Sequence, residues 1–298
     1  MYSTIKVRPW PMKLAATCGL VSLWLAPAYA AVVDYSSGVL ALSPTHYYEL
    51  NETTKGVVID RGISPFAAAH EGNFPPGEVG APGVLLPGFG DDNRALRSNN
   101  AGGVNLGPGT SFATDSMSIA MWFLAPGGVN VGDRLFTNNV ERLAGGTEDS
   151  FQITLPNSSS PWGIVFAVGQ EADMQLAIPT NIMPVQDNRW HHLVVARAGD
   201  DVSSMRVVID GNDFTGNLVP TDATWGTTGS NAHLGMRADE GGSDHNHNGS
   251  IDDTAIWLNR ALTVEEAQGL YAAAQIPEPA AVSLLALGAL VMVRRRRE

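Results

Sequence analysis

Apolar side chains at every second position constrain this chain most, because a period of two suits a strand with one buried face and suits no helix. Between Ser116 and Phe123, Met117, Ile119, Met121 and Phe123 fall on one face, with Trp122 on the other beside Ser118 and Ala120. Phe151, Ile153 and Leu155 alternate with Gln152 and Thr154; Trp162, Ile164, Phe166 and Val168 alternate with Gly163, Val165, Ala167 and Gly169. Residues 192–197 and 205–210 form two more runs around the polar turn Gly199-Asp200-Asp201, and Asp210-Gly211-Asn212 ends the second. Glycine and proline, 32 and 18 in all, gather between the runs at Pro75-Pro76-Gly77, 88–93, 102–109 and 226–229. Short half-buried strands parted by Gly-rich turns predict an all-β sandwich, not an α/β fold. One short C-terminal helix is legible. Thr263 and Glu266 make a capping box, Leu262 is placed to staple against Ala267, and Ala267, Leu270 and Ala274 share a stripe.

Both ends of the chain read as processing signals. Lys6, Arg8 and Lys13 form a positive leader, residues 14–27 are apolar, and Ala28-Tyr29-Ala30 supplies the small residues a signal peptidase reads, so residues 1–30 are expected to be removed. The single cysteine, Cys18, leaves with them, and an exported chain without disulfides must rely on the size of its core or on bound metal. At the other end, Pro277, Glu278 and Pro279 precede fourteen uncharged residues, 280–293, and then Arg294, Arg295, Arg296 and Arg297. Fourteen helical residues reach about 21 Å, a short span against a hydrocarbon core of ~30 Å. The positive-inside bias holds the arginines in the cytoplasm and faces everything before Pro277 outward. This order of Pro-Glu-Pro, apolar helix and arginine cluster resembles the PEP-CTERM sorting signal of Gram-negative bacteria that make exopolysaccharide. The resemblance implies transient residence in the inner membrane, cleavage near Pro-Glu-Pro by an exosortase-type protease, and release or attachment outside the cell.

Without residues 1–30 and 278–298 the chain keeps 247 residues, with 11 basic against 28 acidic and a net charge of −17. A surface so acidic excludes nucleic acid as a partner and suits divalent cations or neutral glycans.

Five pieces in order resemble the laminin-G-like, concanavalin A-like jelly rolls. They are His46-Tyr47-Tyr48-Glu49-Leu50-Asn51-Glu52, Ser118-Ile119-Ala120-Met121-Trp122-Phe123, Trp190-His191-His192-Leu193-Val194 with Val208-Ile209-Asp210-Gly211, Gly249-Ser250-Ile251-Asp252-Asp253-Thr254-Ala255-Ile256-Trp257, and Arg260-Ala261-Leu262 with Glu265-Glu266. The resemblance implies a two-sheet jelly roll over residues 31–275, between the signal peptide (1–30) and the sorting signal (276–298). It implies sugar or protein binding without fixing a ligand. It also implies a calcium site where the first and last strands meet, drawn from Asp252 or Asp253 with Glu49, Asn51 or Glu52.

Other constellations are weaker. Residues Asp244 to Asp252 place oxygen-bearing side chains at positions 1, 3, 5 and 9 of a calcium loop with Gly249 at 6, but Ala255 stands at position 12 where a bidentate carboxylate belongs. His245 and His247 share a strand face, yet two imidazoles do not make a zinc site and read as exposed loop residues. His191 and His192 read as strand-end packing. Trp162, Trp225 and Trp257 sit near loops, where a ring can stack on a sugar. In Glu171-Ala172-Asp173-Met174-Gln175 the second glutamate that a laminarinase-like strand needs as general acid is an amide. The expectation is therefore a non-catalytic glycan-binding or structural protein of the extracellular polysaccharide matrix. Its alternatives are a protein adhesion module and a divergent glycoside hydrolase or lyase.

Overall fold

The computed structural model describes residues 34–276 except 115, 128–132, 139–150, 157–159, 169–174, 200–203, 222–230 and 237–245. Both processing signals, including Pro277, Glu278, Pro279, Arg294, Arg295, Arg296 and Arg297, lie outside the described residues. Among those described, no helix is long and apolar enough to cross a membrane.

Two antiparallel sheets face one another, with strands numbered in chain order. The eight-stranded sheet runs β14 (Asn212–Asp213), β13 (Arg206–Ile209), β12 (Trp190–Ala198), β7 (Ser116–Leu124), β17 (Ser250–Leu258), β5 (Arg94–Arg97) and β4 (Val79–Pro82), with β1 (His46–Tyr48) also paired to β17. The nine-stranded sheet runs β15 (Val219–Thr221), β11 (Gln175–Pro179), β10 (Trp162–Val168), β9 (Phe151–Leu155), β8 (Asp133–Thr137), β16 (Asn231–Leu234), β6 (Gly102–Pro108), β3 (Ala68–Gly72) and β2 (Val57–Val58). The sandwich read from the alternation is therefore present.

The core follows the alternation residue by residue. Met117, Ile119, Met121 and Phe123 of β7 join Phe136, Phe151, Ile153 and Phe166 of the facing sheet in one buried cluster. Each such side chain contributes about 1.5–3 kcal/mol relative to leaving it in water. The opposite face of β7 is also covered. Ala120 and Trp122 pack with Tyr35, Val39, Leu262, Ala267 and Leu270 in a second cluster beneath two helices, α1 (Tyr35–Ala41) and α2 (Val264–Ala274). Trp122 thus fills a second layer.

The capping box of α2 forms in both directions: Thr263 Oγ1 accepts from Glu266 N at 3.2 Å and Thr263 N donates to Glu266 Oε2 at 2.9 Å. Helix α1 is an addition to the single helix read from the sequence. Its first five residues, Tyr-Ser-Ser-Gly-Val, are poor helix formers. What holds it is the Asp34 cap, whose Oδ1 accepts from Ser37 N at 2.6 Å, and burial of Tyr35 and Val39 one turn apart.

Candidate functional site

The outward face of the nine-stranded sheet carries a row of polar residues at one level. Register pairs Asn105 with His233, His233 with Thr137, Thr137 with Gln152, Gln152 with Ala167, Ala167 with Gln175, and Gln175 with Thr221. One step along, Arg134 lies opposite Thr154, and its Nη1 donates to Thr154 Oγ1 at 2.6 Å. Period two puts the Gln152 and Thr154 side chains away from the core, because Phe151, Ile153 and Leu155 beside them point inward. They are nevertheless buried: Arg134, Thr137, Gln152, Thr154 and His233 each expose 2% or less. Gln152 Oε1 has no hydrogen-bond partner, a state that costs about 1–3 kcal/mol unless something fills it. At one end Glu71 Oε2 accepts from Asn105 Nδ2 at 2.8 Å and lies 3.4 Å from His233 Nε2. Burial outweighs that carboxylate and lowers the His233 pKa, so the ring is neutral. Sequence reading did not single out this row. The polar partners of the Phe-Ile-Leu alternation were its signal, but their alignment across seven strands needs the register.

The residues expected to hold calcium lie near the pairing of β1 with β17. A cleft of about 290 Å³ there is lined by Glu49, Asn51 and Asp253, with Asp34, Arg61 and Asp92. A bulge between Asp252 and Ala255, with Asp253 at φ 44°, breaks the alternation and sets the two neighbouring carboxyls beside one another. Asp252 Oδ2 accepts from Asn93 Nδ2 at 2.8 Å and from Val84 N at 3.0 Å, while Asp253 Oδ1 accepts from the Tyr47 hydroxyl. Burial pushes Asp252 up to about 7, and burial together with the charges of Asp252 and Glu49 pushes Asp253 up as well. Glu49 is held by Arg61 and by Ser36 Oγ at 2.7 Å, Asn51 Oδ1 accepts from Arg94 N at 2.7 Å, and Glu52 Oε1 accepts from Ile59 N at 2.9 Å. The cleft therefore brings Glu49, Asn51 and Asp253 together, whereas Asp252 and Glu52 are not part of its lining. Among the described residues, no group of three or more His, Cys, Asp or Glu is placed to hold a metal ion.

The remaining candidates separate cleanly. His191 bonds Asp210 Oδ2 at 2.7 Å and Asp187 Oδ1 at 3.0 Å, and the two carboxylates raise its pKa against the opposing effect of burial. His192 meets the Tyr35 hydroxyl at 2.9 Å and is driven down to about 3 by burial, so it packs as a neutral ring. Both fill the strand-end roles expected of them. His247 corrects the expectation of an exposed loop residue: it is fully buried and 3.1 Å from Leu124 O. Trp257 is likewise no loop platform, since its ring is buried and Nε1 donates to Leu42 O at 2.9 Å. Trp162 is half-buried at the start of β10. Asp244, His245, Trp225, Glu171 and Asp173 lie outside the described residues, and Gln175 opens β11.

Residues 98–268 match the concanavalin A-like lectin/glucanases superfamily. The chain belongs to that superfamily. Residues 275–297 match the PEP-CTERM protein-sorting motif, so this superfamily domain carries a tail that directs exosortase sorting to the cell surface of Gram-negative bacteria. Comparison with curated proteins yields no match. Among solved structures, domain 4 of a GH43 extracellular arabinanase from Geobacillus stearothermophilus, in complex with arabinotriose, is similar with a TM-score of 0.50 at 17% identity, covering 77% of this chain and 98% of that one. A Trypanosoma rangeli sialidase in complex with sialic acid is similar with a TM-score of 0.48 at 14% identity, over 77% of this chain and 33% of its own. The arabinanase domain supports the superfamily's two-sheet fold, and at this identity the likeness extends no further.

Proposed function

We propose that the mature protein is an exported, non-catalytic glycan-binding or structural protein of the extracellular polysaccharide matrix. Its processing partners are signal peptidase and an exosortase-type protease, and its ligand is exopolysaccharide or another glycan. What supports this reading most is that residues 98–268 match the concanavalin A-like lectin/glucanases superfamily in a chain whose residues 275–297 match the PEP-CTERM protein-sorting motif. The solved arabinanase domain is in complex with arabinotriose, which agrees with a sugar as the ligand class.

A glycan array run with and without chelator tests the proposal. Binding to at least one glycan is expected. A protein that binds no glycan and instead captures a cell-surface protein is an adhesion module. The absence of catalysis is part of the same proposal: reducing-sugar release from β-glucans and host exopolysaccharide is expected to stay at background, and release that disappears in Glu171→Gln would make the protein a glycoside hydrolase.

A further inference from the structure

The chain leaves the described residues at Ile276, just past the end of α2, and large side chains around that exit are open to solvent. Gly88 N donates to Ala274 O at 2.8 Å and Phe89 N to Leu86 O at 3.0 Å, so the loop after β4 is fastened to the last turn of α2. Leu85, three residues before Gly88, is at most about 11 Å from it along the chain. Leu85 is 78% exposed and Ile276 39%. Trp190, half-buried at the start of β12, and Arg189 line one cleft with Leu85, Leu86 and Tyr271 of α2. The Arg189 side chain is 80% exposed, with Nε 3.7 Å from Asp187 Oδ2.

The tail decides what meets this end. Pro277, Glu278 and Pro279 alone separate Ile276 from the uncharged run 280–293. Three extended residues reach about 10–11 Å, and a proline after Ile276 and after Glu278 favours extended backbone at both. With residues 280–293 in a membrane, a folded partner would need a gap about one helix wide, ~10–12 Å, between this end and the lipid. The link at full stretch opens no more than that. The run is also short, about 21 Å of helix against a core of ~30 Å, and such a mismatch draws flanking residues toward the interface. Exposed leucine and isoleucine gain by leaving water, the edge of a tryptophan suits the headgroup level, and an arginine on its long stem reaches phosphate.

We propose that this end of the domain, with Leu85, Ile276 and Trp190 at its centre and Arg189 at its edge, rests on the outward-facing leaflet of the inner membrane until the tail is cut. The domain then lies against the bilayer instead of swinging on a free linker. The inference rests on the residence of 280–293 in the membrane and adds the surface that the domain turns toward the lipid.

Cys18 lies in the leader, so the chain from Ala31 to Glu298 has no other cysteine and takes a fluorescent label at one chosen position. Leu85→Cys, Arg189→Cys, Ala198→Cys and Ser283→Cys are labelled singly and reconstituted in vesicles of phosphatidylethanolamine and phosphatidylglycerol, with and without spin-labelled lipid as quencher. Ala198 is the control, exposed at the far end of β12 and roughly 26 Å from Trp190 along the strand. Labels at 85 and 189 are expected to be quenched several-fold more than the label at 198. If 85 and 189 are quenched no more than 198 while the label at 283 is quenched, the docked face is wrong and the membrane-resident tail stands. If the label at 283 is not quenched either, both are overturned. Shielding of position 85 that appears in native inner-membrane vesicles but not in lipid alone would make a membrane protein the partner and overturn the lipid assignment.

Discussion

Replacing Asp252 by asparagine is expected to flatten the dependence of folding stability on pH. The Asp252 carboxyl is fully buried, and burial pushes it up to about 7 in the folded protein, against ~3.9 in an unfolded chain. Over the interval between those values the folded state holds a proton that the unfolded state has released, so stability falls as pH rises. The contribution is complete below about pH 4 and is lost as pH passes through about 7. Roughly three pH units at about 1.36 kcal/mol each give a total of roughly 4 kcal/mol. Asparagine at 252 retains one oxygen to accept from Val84 N and Asn93 Nδ2, now 3.0 and 2.8 Å from Asp252 Oδ2, and it has no proton to lose. Urea unfolding of both proteins from about pH 4 to pH 8 reads the difference, because the midpoint moves with stability at constant slope. Wild type is expected to lose up to roughly 4 kcal/mol relative to Asp252→Asn across that range. Parallel profiles would show that Asp252 is not held protonated, and with that the account of this site fails.

Other outcomes follow from the same contacts. Thr263→Ala removes the hydroxyl arm of the α2 capping box and should cost about 1 kcal/mol, visible as a lower melting temperature; no change would mean that packing alone starts the helix. Calcium at the β1–β17 cleft has to displace the Arg61 guanidinium from Glu49 and the proton shared by Asp252 and Asp253. Melting curves with saturating calcium and with chelator are therefore expected to coincide at pH ~6 and to separate only above pH ~7. A chelator-sensitive melt at the lower pH, abolished by Asp253→Asn, would establish a preformed calcium site instead. His191 contributes stability below its unfolded pKa of ~6.5 that disappears as pH rises through its raised folded value. Asp210→Asn should shrink that loss, followed by the His191 proton shift in NMR, and an unchanged titration would remove Asp210 as its cause.

Much of the fold was legible because alternation is a local property. The faces of β7 and β9 follow from Met117 to Phe123 and Phe151 to Leu155, and each inward residue named there is buried in the core. The α2 start was legible for the same reason, since Thr263 and Glu266 satisfy one another within a single turn. Helix α1 was not, because its sequence disfavours helix and its stability comes from the second layer onto which Tyr35 and Val39 pack. Trp190 was passed over for the same kind of reason: nothing in its own neighbourhood indicates that Tyr271 and Leu86 come to lie beside it.

By itself the sequence determined which residues point inward on each strand and where the last helix begins. Tertiary structure decided which strands are neighbours, and so which outward residues meet. A period of two specifies a face but not a partner, since register depends on pairing between segments far apart in the chain. Thus the row from Asn105 to Thr221 exists only because seven strands align it. The Asp252 and Asp253 carboxyls, which simple alternation sends to opposite faces, stand together because a bulge with a left-handed residue turns one of them over. Gly83 makes their surroundings possible, since a Cβ there would lie 2.6 Å from Asp252 Oδ2 and 2.5 Å from Asn93 Nδ2. That requirement comes from a close approach between distant segments, and no local pattern records it.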